Sequence, residues 1–406
     1  MTRPPLLPFD EALARLLSQA AAVDESETVP VMEAHGRVLA RALRSTIDVP
    51  RADNTQMDGY AVRASDCPAG ARLPVSQRIP AGHVGEPLQP GTAARIFTGG
   101  LIPPGADAVV MQEMTEAAGD AVVIREAPAP GQWIRRAGED IREGAEILRA
   151  GERLRPQAVG LAASVGLAEV AVHRRVRVAC FFTGDELATP GEPLAPGAIY
   201  NSNRYVLVGM LRALGCEVSD LGTVPDSLEA TRAALRDAAA GNDLIVTSGG
   251  MSVGEEDHVR PALEAEGELS LWQVAIKPGK PLAYGRVRDG ATRHAHFIGL
   301  PGNPVSSFVT FLLFVRPFLL RLQGVERVAP SVVPMRANFD WPRPDRRREF
   351  LRVRIDAQGG LELFPNQGSA VLTSTAWADG LVDNPPGAAI RRGETVRFLP
   401  FDSLLA

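Results

Sequence analysis

Cysteine is scarce in this sequence. The 406 residues hold three, Cys67, Cys180 and Cys216, with no Cys-x-x-Cys spacing. Neither a disulfide framework nor a thiolate zinc site is indicated, and a reducing, cytoplasmic setting is expected. An excess of either charge is also missing: 43 basic residues against 48 acidic ones leave a formal charge of −5. That gives no global attraction to nucleic acid or to an anionic membrane. Aromatic residues make up only 5% of the chain. Too few accompany the basic cluster Arg343, Arg346, Arg347 and Arg348 for a single-strand nucleic-acid platform, so that cluster reads as a solvated edge. Long apolar runs are lacking as well. The most apolar stretch, Val305 to Val315, is too short to cross a bilayer and is closed by Arg316-Pro317. Met1 to Asp10 carries three prolines and no apolar run, which is not a signal-peptide pattern. The histidines are dispersed and form no metal-ligand pair. His294 and His296 share one strand face in a structural role.

What is present is a globular composition, 45% hydrophobic and 22% charged, in a chain long enough for two to four domains. Phe9-Asp10-Glu11 opens a helix, with Asp10 as its cap and Leu13, Leu16, Leu17 and Ala20 as its apolar face. Thr28 to Met32 alternates as a strand does, and Glu33 to Ala42 reads as a second helix. From Ser45 to about Glu139 glycine and proline become frequent and apolar runs short, which marks an inserted β domain. Helical pattern returns at Pro156 to Val165. The helical segment, residues 8–45 and 140–174, is therefore split around an insertion at 46–139. Residues 175–325 alternate strand and helix. Strands fall at Val176 to Phe182, Glu217 to Leu221, Asp243 to Thr247 and His296 to Leu300. Helices fall at Asn203 to Leu214 (capped by Ser202 or Asn201), from Asp226-Ser-Leu-Glu229 to Ala240, and from Asn303-Pro304 to Leu322. Such alternation predicts a mostly parallel sheet covered on both faces, and short alternating runs predict a small β domain at 326–406. The expected fold class is a multidomain α/β protein.

Sheets of this kind bind ligands beyond the carboxyl ends of their strands. The richest such stretch is Thr247-Ser-Gly-Gly-Met-Ser-Val-Gly-Glu-Glu-Asp257. Gly249, Gly250 and Gly254 permit tight turning and close approach of backbone to a ligand. N–H groups ahead of a helix suit an anion. Glu255, Glu256 and Asp257 fit a phosphate that arrives with a divalent metal, which prefers oxygen ligands. The same residues also read as a glycine-rich turn with an acidic helix start. Thr183-Gly184-Asp185-Glu186, Pro225-Asp226 and Pro301-Gly302-Asn303-Pro304-Val305-Ser306 follow other strands. Each alone looks like a helix cap; together they would line one crevice. Lys277-Pro-Gly-Lys-Pro281 supplies two ammonium groups on a proline-stiffened turn, suited to a phosphate or another tetrahedral anion. A solvated basic turn is the alternative. Asp58, Thr98 and Asp140 sit in turns that alone would pass for surface loops.

Taken in order, seven stretches resemble the motifs of the MoeA-type molybdopterin molybdenumtransferases, a family similar to the gephyrin E domain. They are Asp53-Asn-Thr-Gln-Met-Asp-Gly-Tyr-Ala61, Thr98-Gly99, Gly138-Glu-Asp-Ile141, Thr183-Gly-Asp-Glu186, Ser248-Gly-Gly-Met-Ser-Val-Gly-Glu-Glu-Asp257, Lys277-Pro-Gly-Lys-Pro281 and Leu300-Pro-Gly-Asn-Pro-Val-Ser306. The resemblance spans nearly the whole chain. It implies an elongated homodimer built from a split helical segment, an inserted β domain, a molybdopterin-binding α/β domain and a C-terminal β-barrel-like domain. It implies ligation of molybdate to the dithiolene of adenylylated molybdopterin with release of AMP, dependent on Mg2+ or another divalent metal. By position, Asp226, Ser252 and Asp257 would hold the adenylylated pterin and its metal. Glu186 would be a further metal ligand, and Gly249, Gly250, Gly254, Pro301, Asn303 and Pro304 would line the pocket. Lys277 and Lys280 would neutralise phosphate and molybdate. Lys280, Pro281, Ser306, Arg352 and Ser369 match the family's molybdate pocket. Asp58, Thr98 and Asp140 would reach it from the other subunit. Thr55 stands where Ser is usual, and Gln273 where many members carry Lys. Transient contact with a molybdopterin adenylyltransferase and with acceptor molybdoenzymes is implied. The alternatives on this fold are a molybdopterin adenylyltransferase, a nucleotide pyrophosphate hydrolase, or a non-enzymatic, gephyrin-like scaffold.

Overall fold

The computed structural model describes residues 6–250, 258–290 and 292–405. Helix α1, Phe9–Leu17, buries Ala12 and Leu16 in the core of the α/β unit rather than in the segment that follows it. Asp10 does not cap this helix. Pro8 precedes it, and Asp10 lies in the first turn, where it meets Arg348 Nη1 at 3.0 Å. Ser26–Pro30 then pairs antiparallel with Glu169–His173, closing the two halves of the split segment across the insertion. Helix α2, Pro156–Ser164, packs Ala158 and Ala162 against this ribbon with Val29, Leu39 and Val172. The stretch Glu33 to Ala42 forms no α-helix; Val31–Glu33 makes one short 3-10 turn. Gly36, at φ 77, stops helical propagation. Val38 and Leu39 instead pair singly with Arg153 and Val172.

The insertion is a six-stranded sheet, ordered Ala108–Met111, Gly59–Val62, Ala93–Ile96, Arg72–Ile79, Ala121–Ile124 and Thr115–Ala118. One apolar cluster includes Val62, Val110 and Val122, and another includes Ala61, Ile79 and Ile96.

The α/β unit is built on β1 (Arg177–Thr183), β2 (Glu217–Val224), β3 (Leu244–Ser248), β4 (Gly267–Gln273), β5 (Pro281–Asp289) and β6 (Arg293–Leu300), in the order β2-β1-β3-β6-β5-β4. The first four in that order are parallel, and β5 and β4 are added as an antiparallel meander. Helices α3 (Ser202–Ala213), α4 (Leu228–Ala239) and α5 (Val259–Glu266) flank the sheet. Asn201 caps α3, accepting from the Arg204 N–H. Ser227 caps α4, accepting from the Ala230 N–H, one residue beyond Asp226. Helix α6, Pro304–Leu322, is long and apolar enough to cross a membrane, yet 94% of that apolar window is buried. Phe311, Phe314, Phe318 and Leu319 on it are fully buried in the main core.

The C-terminal sheet runs Arg348–Ile355, Gly380–Asn384, Thr395–Pro400 and Val333–Arg336, with Leu361–Leu363 on the first of these. Its other edge, Ile276–Lys277, comes from the α/β unit and pairs parallel with Arg348 and Glu349. The two units therefore share a sheet. The arginine cluster is not a uniform solvated edge. Arg343 and Arg346 are exposed. Arg347 is bound to Asp345, and Arg348 to Asp383 and Asp10 with its guanidinium 4.7 Å from the Phe9 ring centroid. The whole is a multidomain α/β protein with mixed sheets and a C-terminal β domain, as its sequence pattern indicates.

Candidate functional site

The chain passes from β1 through α3 to β2 on one side, then crosses to β3 on the other. The strand order thus reverses between β1 and β3, where open α/β sheets form their ligand crevice. Thr183 ends β1 and Ser248 ends β3 at this point. Gly249 and Gly250 follow with φ of 99 and 60. A Cβ on Gly249 would lie 2.9 Å from the Thr183 carbonyl oxygen, and one on Gly250 would lie 2.6 Å from a Val259 methyl. Only glycine allows the loop to pass here. Asn203, in the first turn of α3, donates from Nδ2 to Ser248 Oγ and to the Gly302 carbonyl, both at 2.7 Å. It ties together the loops after β3 and β6. Asn203 has no place in the sequence-derived site; an amide in the first turn of a helix that follows a strand-end loop was the available signal. Pro301 is buried, and Asn303 and Pro304 open α6, with the Asn303 carbonyl accepting from the Ser307 N–H at 2.9 Å.

On the β2 side, Asp185 Oδ1 accepts from the Asp226 N–H at 3.2 Å, joining the loops after β1 and β2. Glu186 is exposed beside them and Asp226 half-buried. Three hard carboxylates on adjacent strand ends are the donor type a divalent ion prefers. Among the described residues, no group of three His, Cys, Asp or Glu is close enough to hold a metal. Ser252, Gly254 and Asp257 lie outside the described residues.

The positive side is built where α6, the Lys277–Pro281 turn and the C-terminal sheet meet. The Val305 N–H, in the first turn of α6, donates to the Ser369 carbonyl at 3.0 Å. Next to Ser369, the Gly368 carbonyl accepts from Arg352 Nη2 at 3.1 Å. Arg352 is 1% exposed. Its guanidinium also donates to Ser374 Oγ at 3.1 Å and to the Phe350 carbonyl at 3.4 Å. No carboxylate faces it among the described residues, and burial pushes its pKa down to about 10. Ser306, 4% exposed, lies in the first turn of α6 beside this chain of contacts. Gly279, at φ 108, lies flat on α6, where an added Cβ would overlap the Thr310 hydroxyl. Pro281 starts β5 opposite Gln273. Lys280 has no side-chain partner among the described residues, whereas Lys277 Nζ stands 3.2 Å from Glu349 Oε1 and 3.5 Å from Asp345 Oδ2. Glu349 has no place in the site derived from the sequence. The structure thus brings Lys277, Ser306, Arg352 and Ser369 into one region through the turn, α6 and the shared sheet.

In the inserted domain, Asp58 Oδ1 accepts from both the N–H and the hydroxyl of Thr98, each at 2.7 Å. The backbone hydrogen bond is the larger reason why the Asp58 carboxyl is held below its ordinary value, with the hydroxyl next. Asp58 is therefore charged at a lower pH than a free carboxylate. Its contribution to stability is present above the unfolded value and lost as pH falls through the lowered folded one. Thr98→Val removes the hydroxyl donor, so the Asp58 titration followed by NMR should move up toward the ordinary value; an unmoved titration would contradict the assignment. Asp53 fixes the neighbouring turn through Arg136 Nη1 at 2.6 Å and the Ala137 N–H at 2.9 Å. Asp140 is exposed, its N–H donating to the Val49 carbonyl at 3.0 Å. Among the described residues no hydrogen bond or ion pair links Asp58, Thr98 or Asp140 to the α/β crevice. A hollow of about 410 Å3, lined by Pro50, Arg51, Ala52, Asn54 and Leu101, also lies by the insertion and away from the strand ends.

A glycine-lined crevice at a sheet switch point, flanked by carboxylates and bordered by a lysine turn and a buried guanidinium, defines an α/β protein built to bind an anionic ligand. The chain belongs to the MoeA family. The MoeA N-terminal region (domain I and II) matches residues 7–166, the probable molybdopterin binding domain 179–321, and the MoeA C-terminal region (domain IV) 334–401. It is 38% identical to a molybdopterin molybdenumtransferase of Haemophilus influenzae over 98% of this chain and 100% of that protein. It is 40% identical to molybdopterin molybdenumtransferase 2 of Mycobacterium tuberculosis over 88% of this chain and 90% of that protein. The crystal structure of the molybdopterin biosynthesis MoeA protein from Pyrococcus horikoshii is similar with a TM-score of 0.85 at 32% identity, over 98% of this chain and 100% of that one.

Proposed function

We propose that this chain is a molybdopterin molybdenumtransferase acting in molybdenum cofactor biosynthesis. It transfers molybdate to the dithiolene of adenylylated molybdopterin and releases AMP. The observation that carries this reading is Arg352: a guanidinium removed from water that, among the described residues, is hydrogen-bonded only to neutral groups and faces no carboxylate. A buried charge without a counterion is costly, and a small oxyanion supplies the missing partner. Molybdate is such an ion. Lys280 adds a positive charge, Ser306 a hydroxyl, and the backbone at Ser369 anchors the pocket to α6. The strand-end loops with Gly249, Gly250 and Pro301 form the pterin side, and Asn203 keeps them in register.

On the acidic side Asp226, Asp257 and Glu186, with Asp185 beside them, would hold Mg2+ or another divalent ion. Such an ion, when bound, polarises a phosphoanhydride. Around it, the chain's own cations offset the charge of two anions brought together in a crevice where water no longer screens them. The protein works as a cytoplasmic homodimer in which Asp58, Thr98 and Asp140 of one subunit complete the crevice of the other. It meets a molybdopterin adenylyltransferase and acceptor molybdoenzymes transiently. Matches along the whole chain support this reading over a stand-alone adenylyltransferase, which needs one α/β domain. The test is to incubate purified protein with adenylylated molybdopterin, Mg2+ and molybdate. AMP release with formation of the molybdenum cofactor is expected. Adenylylation of molybdopterin from ATP, or no turnover at all, would count against it.

A further inference from the structure

Glu349 is 1% exposed and collects four donors: Lys277 Nζ at 3.2 Å, Trp341 Nε1 at 2.7 Å, the Asp345 N–H at 3.1 Å and Asn384 Nδ2 at 3.5 Å. A carboxylate this deep needs a positive charge close by. Arg347 acts on it only from a distance, because its guanidinium is hydrogen-bonded to Asp345 at 2.9 and 3.0 Å. Among the described residues, Lys277 is the cation that hydrogen-bonds Glu349 directly. The backbone leading into Lys277 is held as well. Ile276 and Lys277 form the edge strand beside Arg348 and Glu349. The Arg348 N–H donates to the Ala275 carbonyl at 2.9 Å, and Arg347 Nη1 reaches the Ile276 carbonyl at 3.4 Å. Three residues on, Lys280 has no side-chain partner among the described residues.

We infer that the two lysines of the turn do different work. Lys277, clamped by buried Glu349, is a positioning residue that bolts the turn to the C-terminal sheet, and Lys280 is the cation of the turn that meets the oxyanion. Glu349 lies three residues before Arg352 on one strand. Its clamp therefore sets the distance between Lys280, on the α/β side, and Arg352, on the C-terminal side. Drawing Lys277 away to a substrate would leave a buried carboxylate without its countercharge, so the geometry favours a fixed strut. This division of labour rests on the molybdate-pocket reading above.

The test is the sign of one effect. If Lys277 touched the oxyanion directly, Glu349→Gln would remove a competing negative charge and lower the KM for molybdate in the AMP-release reaction. A strut predicts the opposite: a KM roughly tenfold higher with kcat within about twofold, because a pocket is misaligned rather than a reacting group lost. The double variant Lys277→Met/Glu349→Gln removes both charges and leaves no buried orphan. It should match Glu349→Gln, whereas direct contact predicts a much higher KM for the double variant. If Glu349→Gln fails to fold, Asp345→Asn carries the same sign test at the outer carboxylate. An unchanged or lowered KM in these variants overturns the inference. A wild-type protein that releases no AMP on addition of molybdate overturns the functional reading instead, so the two failures are distinguishable.

Discussion

Arg352→Met is expected to reduce molybdate-dependent AMP release by about 100-fold or more while leaving the protein folded. The size follows from losing one preorganised cationic donor in a site closed to water, where such groups typically contribute factors of about 100 to 1,000. The second half of the expectation is the more specific. Arg352 is buried, has no carboxylate partner among the described residues, and has its pKa lowered to about 10 by burial alone. A guanidinium in that position weakens the fold rather than supporting it, and methionine can occupy much of the same volume. Its loss leaves the Phe350 and Gly368 carbonyls and Ser374 Oγ short of one donor each, a smaller penalty than an orphaned charge. The unfolding midpoint should stay within a few degrees of wild type or rise. A midpoint that collapses together with activity would mean that Arg352 is structural rather than an oxyanion ligand.

Gly279→Ala is expected to be the most damaging single-methyl change in the site. Gly279 has φ 108, a backbone region that L side chains rarely adopt, and its new Cβ would overlap the Thr310 hydroxyl. Thr310 is fully buried on α6, next to Phe311 and Val309, so the hydroxyl has nowhere to go. Strain at a disfavoured backbone angle costs about 1–3 kcal/mol, and overpacking a tight core costs about 1–3 kcal/mol. Urea unfolding should register a loss of that order. Activity should fall with it, because the turn that carries Lys280 must lift away from α6. Adding Thr310→Ala should restore part of the stability by removing the clash, but not the backbone strain. A Gly279→Ala protein of wild-type stability would contradict the packing described.

Much of this arrangement is legible in the sequence because it depends on local order. Alternating strand and helix signals between 175 and 325 give the parallel sheet, and the glycine and acidic loops after its strands give the crevice. Local sequence pattern does not determine structure where partners are distant. Asp10 looks like a helix cap until Arg348, 338 positions away, takes it as a salt-bridge partner. Glu33 to Ala42 carries helical residues, but Gly36 and pairing with distant strands decide its shape. Lys277 and Lys280 look equivalent in the motif. Only the shared sheet places one of them against a buried glutamate. Arg352 itself had a usable signal, a lone arginine inside the apolar run Phe350-Leu-Arg-Val353, which a buried strand does not tolerate without a purpose.

In the proposed function one oxyanion pocket spans the turn, the first turn of α6 and the C-terminal sheet. The most direct measurement is a crystal structure of the protein with molybdate and AMP, read at the molybdenum absorption edge. Molybdenum is expected between Lys280, Ser306 and Arg352, with AMP in the crevice beyond Thr183 and Gly249. Molybdenum bound at any other place, with this pocket empty, would contradict it.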